Sequence, residues 1–189
     1  MSEGFPDLDP FAPFPLAKSE RLYDSPWCGL RRDLLRLPSG ALQEYHVVEL
    51  TPAVCVVPVR EDGSIALVWQ HRHPHGRTHW ELPAGRMHAG EAPEEAARRE
   101  LREETGLAPA ALERLAGFYP TNGISAHYAH VFAALGCRPA GAQELDATEQ
   151  LSVHTVPAAD VRRRLLAGGF EDGFTSLALF YYFARAADR

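Results

Sequence analysis

The sequence predicts an α+β fold with one main domain that follows a short β-rich extension. Strand-like and helical segments are mixed without regular alternation, which favours α+β over a doubly wound parallel sheet. The chain has 189 residues, of which 46% are hydrophobic, enough for one domain with a substantial core. We place the extension at residues 1–50 and the main domain at residues 51–189.

The extension is predicted to be an extended arm followed by two strands. Residues 1–20 contain four prolines and three phenylalanines with no periodicity of either kind. Between Arg31 and Leu50, two strand-like stretches flank a turn at residues 37–40. A short sheet with exposed edges is poorly stable alone. We therefore expect a homodimer that pairs through this region; the alternative is an arm that folds back on its own subunit.

The main domain opens with a predicted hairpin and contains one helix with clear ends. Pro93 stands at the start of that helix and Gly106 follows its last residue, as is usual at helix ends. The predicted strands are Ala53–Val59, Ile65–Trp69, Leu112–Tyr119, His130–Leu135 and Leu151–Val156. The predicted helices are Pro93–Thr105, Ala158–Ala167 and Thr175–Ala186.

Charge and cysteine content exclude several classes of protein. The net charge of −6 argues against a nucleic-acid polymer as main partner, because its phosphates would be repelled. No run of 18 apolar residues and no signal pattern occurs, so we expect a cytoplasmic protein without membrane association. Cys28, Cys55 and Cys137 are too few and too dispersed for a disulfide framework. Cys55 lies in an apolar run and is expected in the core.

Three glutamates share one face of the predicted helix 93–105. At 100° per residue, Glu100, Glu103 and Glu104 fall within an arc of about 100°. Glu95 and Arg99 form an i,i+4 pair elsewhere on the helix, which leaves the three-glutamate face without internal neutralisation. Such a face is either a solvated acidic surface or a cation site. Oxygen-only ligands suit Mg²⁺ or Mn²⁺ rather than zinc.

The surrounding stretch favours the cation site. GRMHAGEAPEEAARRELREETGL, from Gly85 to Leu107, resembles the Nudix box: a glycine, five residues, a glutamate, seven residues, then Arg-Glu-aliphatic-x-Glu-Glu-x-Gly-aliphatic. The positions that match are Gly85, Glu91, Arg99, Glu100, Leu101, Glu103, Glu104, Gly106 and Leu107. The resemblance implies a mixed sheet sandwiched between helices and a hydrolase that cuts a pyrophosphate linkage.

The resemblance also assigns roles. The implied metal ligands are the carbonyl of Ala84 and the carboxylates of Glu100, Glu103, Glu104 and Glu149. The implied catalytic residues are Arg99, Glu103, Glu104 and Glu149. Arg99 would orient and partly neutralise a glutamate, Gly85 would let the loop approach the metal, and Glu91 would brace that loop. Gly106 is most simply a helix C-cap.

Carboxylates and cations suit this chemistry for physical reasons. A pyrophosphate repels a nucleophilic hydroxide because both phosphorus centres carry negative charge. Divalent cations neutralise the phosphate oxygens and acidify water, and a free carboxylate accepts the proton. Crowded carboxylates also raise the proton affinity of one of them, which helps a general base. The sequence does not indicate which glutamate is that base.

The resemblance extends to the ADP-ribose pyrophosphatase branch. Its segments here are VWQHRHPHGRTHWELPAG, FYPTNGISAHYAHVFAA and DATEQLSVHTV. In that branch a glutamate at the place of Glu149 is a further metal ligand or the base. The candidate substrate-binding residues are Trp27, Arg72, Glu81 and Pro120. A departure is that Ser125, in the loop that contains Pro120, is followed by Ala126 and His127 rather than by an acidic residue.

Some of these residues have simpler interpretations. Arg72 is either a phosphate contact or a surface arginine at a strand end. Trp27 and Trp80 are candidates to stack on a nucleobase, although Trp80 is more simply a core residue. Four histidines also lie between the predicted hairpin and the box, but their spacing is poor for tetrahedral zinc. They are His71, His73, His75 and His79.

The leading hypothesis is hydrolysis of ADP-ribose to AMP and ribose 5-phosphate. The alternatives are other nucleoside diphosphate sugars, dinucleotides such as FAD, and nucleoside triphosphates. A third interpretation is a module that binds a nucleotide sugar without cutting it. Intact Glu100, Glu103 and Glu104 argue against such a sensor.

Overall fold

The computed structural model describes residues 5–187. The first four residues of the predicted arm and the last two residues of the chain lie outside the described residues. The chain divides into two compact units, one ending at Leu50 and the other beginning at Thr51. Within the described residues, no helix is long and apolar enough to cross a membrane.

The first unit is a three-stranded antiparallel sheet. Its strands are β1 (Leu16–Asp24), β2 (Gly29–Arg36) and β3 (Leu42–Glu49), in that order across the sheet. The predicted β extension is confirmed, but the prediction of only two strands is wrong. Most of β1 is exposed within the chain, so it lacks the apolar alternation by which a half-buried strand is detected.

The second unit is a mixed eight-stranded sheet with three helices. Its strands are β4 (Ala53–Arg60), β5 (Ile65–Arg72), β6 (Arg77–Glu81), β7 (Ala84–Arg86), β8 (Leu107–Ala108), β9 (Ala111–Phe118), β10 (Ala129–Pro139) and β11 (Leu151–Val156). Its helices are α1 (Pro93–Thr105), α2 (Ala158–Leu166) and α3 (Gly173–Ala187), with a single 3₁₀ turn at His73–His75. β10 pairs with β4 in parallel, whereas β5 and β7 pair with β4 antiparallel.

The central strand β4 supplies both layers of the core. Successive side chains of a strand point to opposite faces. Val54 and Val56 accordingly lie in a buried cluster with Leu101 of α1. Cys55 lies in a second cluster with Leu179 of α3, which confirms its predicted place in the core. The sheet is therefore sandwiched between α1 on one face and α2 and α3 on the other, as predicted.

The three helices lie where they were predicted, within two residues at each end. The short strands β6, β7 and β8 were not predicted. α1 begins and ends as predicted, and Gly106 closes it with φ of 67° and an N–H that donates to the carbonyl of Arg102 at 2.8 Å. Strands β6, β7 and β8 have only five, three and two residues. Segments this short are defined by their partners in the sheet, which the local sequence does not specify.

Candidate active site

Helix α1 carries the glutamates against the sheet at different depths. Glu100 and Glu104 are one turn apart and retain only 8% and 2% of their exposure, while Glu103 is partly exposed. The buried Ala96 and Leu101 hold the helix on the core. Positions i and i+4 lie on one helical face, so Glu100 and Glu104 form one buried acidic pair.

Arg99 donates hydrogen bonds to three of the glutamates around helix α1. We call Glu91, Glu100, Glu103 and Glu104 the acidic cluster. The Nη1 of Arg99 donates to Glu100 at 2.7 Å and to Glu103 at 3.0 Å, and its Nε donates to Glu91 at 2.8 Å. The expectation that the three-glutamate face lacks internal neutralisation is therefore wrong for Glu100 and Glu103. Arg99 turns toward the loop before the helix rather than toward Glu95, whose carboxylate accepts the backbone N–H of Ala92.

Glu91 ties that loop to the helix. Its carboxylate accepts both the Nε and the Nη2 of Arg99 and the backbone N–H of His88 at 2.8 Å. Arg99 also donates through Nη2 to the carbonyl of Arg86 at 2.9 Å. The hydrogen bonds from Arg99 lower the pKa of Glu91 from 4.5 to about 2, against the opposing effect of burial. The carboxylate is therefore charged and fixes the loop from both sides.

Glu104 is the most buried carboxylate of the cluster. Burial, followed by the charges of Glu100 and Glu149, raises its pKa well above the ordinary value. Its Oε2 accepts the backbone N–H of Ala84 at 3.2 Å. Burial likewise raises the pKa of Glu100, although Arg99 opposes that shift. The protein only partly neutralises the negative charges of these two carboxylates. A bound cation would neutralise them further.

Glu149 acts on the cluster from a different segment of the chain. It lies in the loop before β11, where its side chain accepts the backbone N–H of Asp146 at 2.9 Å. Its negative charge contributes to the raised pKa values of both Glu100 and Glu104. The fold therefore brings Glu149 into electrostatic range of the helix glutamates.

The carboxylates fit a hard divalent cation by donor chemistry. All four are oxygen donors, as Mg²⁺ and Mn²⁺ prefer, and two of them are buried without full neutralisation. Within residues 5–187, no three acidic, histidine or cysteine side chains already converge as a complete ligand set. Glu100 and Glu103 instead point to Arg99, and Glu104 points to the N–H of Ala84.

A cavity of about 370 Å³ is lined in part by Ala84, Gly85 and Arg86 of the short strand β7. We call β7 and the residues that lead from it to α1 the Gly85 loop. Arg72 lines the cavity, and its Nη2 and Nε donate to both oxygens of Glu81, the shortest contact being 2.6 Å. Glu81 is only 3% exposed. The residues that line the cavity are Ala53, Arg72, Pro74, His75, His79, Glu81, Ala84, Gly85, Arg86, Glu171, Asp172, Gly173 and Phe174.

Comparison with known proteins places this geometry in a family. Residues 49–176 match the family model of the NUDIX domain. The chain belongs to the Nudix family. Residues 17–48 match a second model, the nucleoside diphosphate sugar hydrolase N-terminal domain. Members of the Nudix family typically use a divalent metal.

Individual relatives extend the likeness over most of this Nudix hydrolase. The ADP-ribose pyrophosphatase of Mycobacterium tuberculosis is 38% identical over 157 residues, covering 82% of this chain and 76% of that protein. The ADP-ribose pyrophosphatase of Bacillus subtilis is 32% identical over 163 residues, covering 86% and 88%. A solved structure described as an ADP compounds hydrolase superposes with a TM-score of 0.82 at 20% identity, covering 96% and 98%. The predicted family and fold are confirmed, and the enzyme is similar to ADP-ribose pyrophosphatases.

The predicted substrate residues of this Nudix hydrolase lie in different places. Arg72 and Glu81 line the cavity together. Pro120 begins a turn in which the backbone N–H groups of Ile124 and Ser125 donate to the carbonyl of Thr121, and it is not among the cavity-lining residues. Trp27 belongs to the first unit, where 62% of it is exposed. Trp80 packs against the core cluster, in line with its simpler interpretation.

Sequence reasoning missed part of the cavity of this Nudix hydrolase. Glu171, Asp172 and Phe174 line it just before and at the start of α3, in a segment to which the sequence analysis assigned no site residue. His75 and His79 also line it, although they were considered only as zinc ligands. No local pattern links these two segments, because they are joined only by the tertiary fold.

Proposed function

We propose that this Nudix hydrolase cleaves the diphosphate of a nucleoside diphosphate joined to a sugar, with ADP-ribose as its preferred substrate and AMP and ribose 5-phosphate as products. The observation that carries the proposal is the pair of buried, under-neutralised carboxylates, Glu100 and Glu104, next to the cavity loop at Gly85. Two relatives named ADP-ribose pyrophosphatase support the choice of substrate.

The metal ligands of this proposal come from α1, the cavity loop and the segment before β11. Mg²⁺, or Mn²⁺ in its place, would be held by carboxylates and the carbonyl of Ala84. When bound, the cation would neutralise the diphosphate and activate the attacking water. The proposed carboxylate ligands are Glu100, Glu103, Glu104 and Glu149.

Residues of the site are also proposed to accept the proton of water and to position the glutamates. Hydrolysis forms a bond from water oxygen to phosphorus and breaks the bond from that phosphorus to the bridging oxygen. The water proton needs a carboxylate acceptor. The raised pKa of Glu104 suits that task, and Glu103 and Glu149 are the other candidates. Arg99 positions Glu103 by a 3.0 Å hydrogen bond.

Arg72 is proposed to hold the diphosphate. Glu81 accepts hydrogen bonds from its Nε and Nη2, so both N–H groups of Nη1 and the second N–H of Nη2 remain as donors for phosphate oxygens. A guanidinium fixed in this way binds phosphate at little further cost in side-chain entropy. Glu81 therefore serves the substrate through Arg72 rather than by direct contact with an anion. Pro120 and Trp27 are kept as proposed contacts to the ends of the substrate.

A panel of diphosphate substrates tests this function. We expect kcat/KM to be highest for ADP-ribose, above other nucleoside diphosphate sugars, FAD and nucleoside triphosphates, and we expect EDTA to abolish turnover. Higher kcat/KM for another compound would replace the substrate. Binding without turnover of any compound would favour the sensor, and full turnover after exhaustive chelation would contradict the mechanism.

Substitution of the glutamates tests the placement of the site. Glu103→Gln and Glu104→Gln should each lower kcat by roughly 10²-fold, because ligand and base functions are lost without a change of volume. Glu94→Gln is the matched control, since Glu94 is an exposed glutamate of the same helix. Wild-type kcat in both site variants, with metal dependence retained, would show that the site lies elsewhere.

A further inference from the structure

The buried side chain of Gln70 has an unsatisfied hydrogen-bond acceptor. Gln70 lies in β5 and is 3% exposed, but its Oε1 accepts no hydrogen bond from any described residue. A buried polar atom without a partner costs free energy and is rare in folded proteins. The other two buried side-chain atoms of this kind in residues 5–187 belong to His127 and His130, which are only partly buried. Oε1 of Gln70 therefore requires a donor that the described part of the chain does not supply.

Gln70 lies on the face of the sheet that α1 covers. Residues two apart in a strand share a face, and Ala66 of the same strand is buried in the cluster that includes Leu101 of α1. Val153 of β11 pairs with Val68 and packs against that cluster as well. Ala66, Val68 and Gln70 therefore lie on one face, and the side chain of Gln70 is on the side of the sheet that carries α1 and its carboxylates.

The segment before β11 brings Glu149 next to Gln70. Leu151 pairs with Gln70, and the carbonyl of Gln150 accepts a backbone N–H of β5 at 2.9 Å. Glu149 is the next residue of this segment toward the N-terminus. Burial raises the pKa of Glu104, and the negative charge of Glu149 contributes to the same shift. The strand pairing therefore places Gln70 beside a segment whose carboxylate acts on the glutamates of α1.

Arg72 lies two residues after Gln70 in the same strand and on the same face. Burial is the main cause of the raised pKa of Glu104, and the positive charge of Arg72 opposes that shift. Arg72 does not satisfy Oε1 of Gln70, because its Nε and Nη2 donate to Glu81 and Oε1 has no partner among the described residues. Gln70 therefore lies between the proposed phosphate contact and the segment that carries a proposed metal ligand.

A hydrated cation supplies the kind of donor that Oε1 lacks. Ionised carboxylates only accept hydrogen bonds, so they do not satisfy another acceptor. Mg²⁺ held by carboxylates usually keeps several of its water molecules, and each of them is a donor. Polar groups that hydrogen-bond to the ligands of a metal orient those ligands, and their loss typically weakens metal binding by about 10–100-fold.

We propose that Gln70 is a positioning residue for the cation, and that its Oε1 accepts a hydrogen bond from a water molecule of the hydration shell of Mg²⁺. This inference rests on the proposed function, because it assumes the metal site between α1, the Gly85 loop and Glu149. It does not depend on the identity of the substrate. In this role Gln70 neither contacts the diphosphate nor accepts the proton of the attacking water.

Titration with Mn²⁺ in the absence of substrate, with free Mn²⁺ detected by electron paramagnetic resonance, measures this role. Gln70→Leu should bind Mn²⁺ about tenfold more weakly than the wild type, because leucine has a similar volume and no acceptor. Gln70→Glu should bind Mn²⁺ at least as tightly as the wild type, because it keeps oxygen acceptors at this position. Gln150→Leu is the matched control: Gln150 is an exposed glutamine of the neighbouring segment, so the affinity should not change.

Thermal unfolding in EDTA separates this role from a purely structural one. Removal of an unsatisfied buried acceptor should stabilise metal-free Gln70→Leu and raise its Tm by roughly 2–4 °C. If the protein itself satisfied Oε1, the same substitution would lower Tm. The rise in Tm on addition of Mg²⁺ should be smaller in Gln70→Leu than in the wild type, because the variant binds the cation more weakly.

Glu104→Gln in the same Mn²⁺ titration distinguishes failure of this inference from failure of the proposed function. If Glu104→Gln weakens Mn²⁺ binding but Gln70→Leu does not, the proposed metal site stands and this inference fails. If Gln70→Leu weakens Mn²⁺ binding but ADP-ribose is not hydrolysed, the proposed substrate fails and this inference stands. Unchanged Mn²⁺ affinity in both variants, weaker binding by Gln70→Glu, or a lower Tm of Gln70→Leu in EDTA would overturn the inference.

Discussion

Gly85 lies so close to Glu100 that a Cβ atom added at Gly85 would overlap the carboxylate. Gly85 is not among the described glycines with positive φ, so the backbone conformation does not require glycine there. The requirement is for space, because the loop must pass directly over a buried acidic side chain. The glycine of the box therefore sets the distance between the loop and the helix.

Gly85→Ala should lower kcat by about 10²-fold, because Glu100 or the loop must move and small displacements of catalytic groups are that costly. Gly141→Ala is the matched control, since a Cβ at Gly141 meets no atom within 4 Å. Steady-state kinetics at saturating metal measures the effect. Wild-type kcat in Gly85→Ala would show that the close approach has no catalytic importance.

Glu91→Gln should destabilise the protein in a manner that depends on pH. The pKa of Glu91 is lowered to about 2 in the folded state from 4.5, so its contribution to stability is fully present above about pH 4.5. That contribution is lost as the pH falls through about 2. Urea unfolding in EDTA should show a wild-type advantage at pH 7 that shrinks by pH 3. The exposed Glu94→Gln control should show no such trend, and a constant difference for Glu91→Gln would contradict the prediction.

Glu104→Gln should stabilise the metal-free protein at alkaline pH. The folded-state pKa of Glu104 is raised above its ordinary value, so ionisation destabilises the fold as the pH rises above the unfolded value of about 4.5. Glutamine removes the charge and keeps an acceptor for the N–H of Ala84. In EDTA, Tm of the variant should exceed that of the wild type at pH 8, with the difference vanishing near pH 4.

Addition of Mg²⁺ should reverse that order, because a ligand that binds only the folded state stabilises it and the variant lacks a carboxylate ligand. A lower Tm for Glu104→Gln in EDTA at pH 8 would mean that Glu104 is neutralised by the protein itself.

Thr175→Val should destabilise the connection between α3 and the strand that ends at Glu81. The hydroxyl of Thr175 accepts the backbone N–H of Leu82 at 2.9 Å, and Thr175 is fully buried. Valine keeps the shape but leaves that N–H unsatisfied, at a cost of about 1–3 kcal/mol. Urea unfolding should show this loss, with a smaller one in Ser176→Ala, whose hydroxyl donates to the Phe170 carbonyl at a part-buried site. Equal stability of Thr175→Val and the wild type would contradict the argument.

We propose that the enzyme is a homodimer that pairs through its first unit. Phe14, Leu16 and Trp27 are 51%, 57% and 62% exposed there, and the burial of large apolar side chains favours association. Light scattering of the full chain should give about twice the chain mass of 20.9 kDa. A triple variant with serine at these positions should shift toward monomer, whereas Lys18→Ser, in the same exposed strand as Leu16, should not. A monomeric wild type with full activity at micromolar concentration would refute the proposal.

The sequence predicted those parts of the molecule whose determinants are local. Helix α1 was predicted to the residue because Pro93 and Gly106 mark its ends, and the box residues follow its periodicity. The strand β1 was not, because its exposed faces leave no apolar alternation. The ion pair between Arg99 and Glu91 was also not predicted. Helical spacing favours Glu95 as the partner of Arg99, and only the fold of the loop before the helix brings Glu91 within hydrogen-bonding distance.

The contacts in the cavity were even harder to predict from the sequence, because they join different segments of the chain. Arg72 and Glu81 were identified as candidates, but their mutual hydrogen bonds were not foreseen, because a hairpin register must be known before such a pair is apparent. Glu171 contacts His79 only when α3 packs on the sheet. The sequence around either residue therefore does not predict this contact.

The parallel pairing of β4 with β10 has a consequence for how the protein acquires activity. Ala53 lies opposite Ala129 in this pairing, and the whole of α1 falls within the chain segment that the pairing closes. Closure of a long loop must precede the contacts that stabilise it, which slows folding. During synthesis, α1 leaves the ribosome well before β10, and its carboxylates have no completed sheet to hold them. Catalytic competence should therefore appear in the last cooperative step of folding rather than gradually, and a chain interrupted before β10 should gain no activity from an intact box.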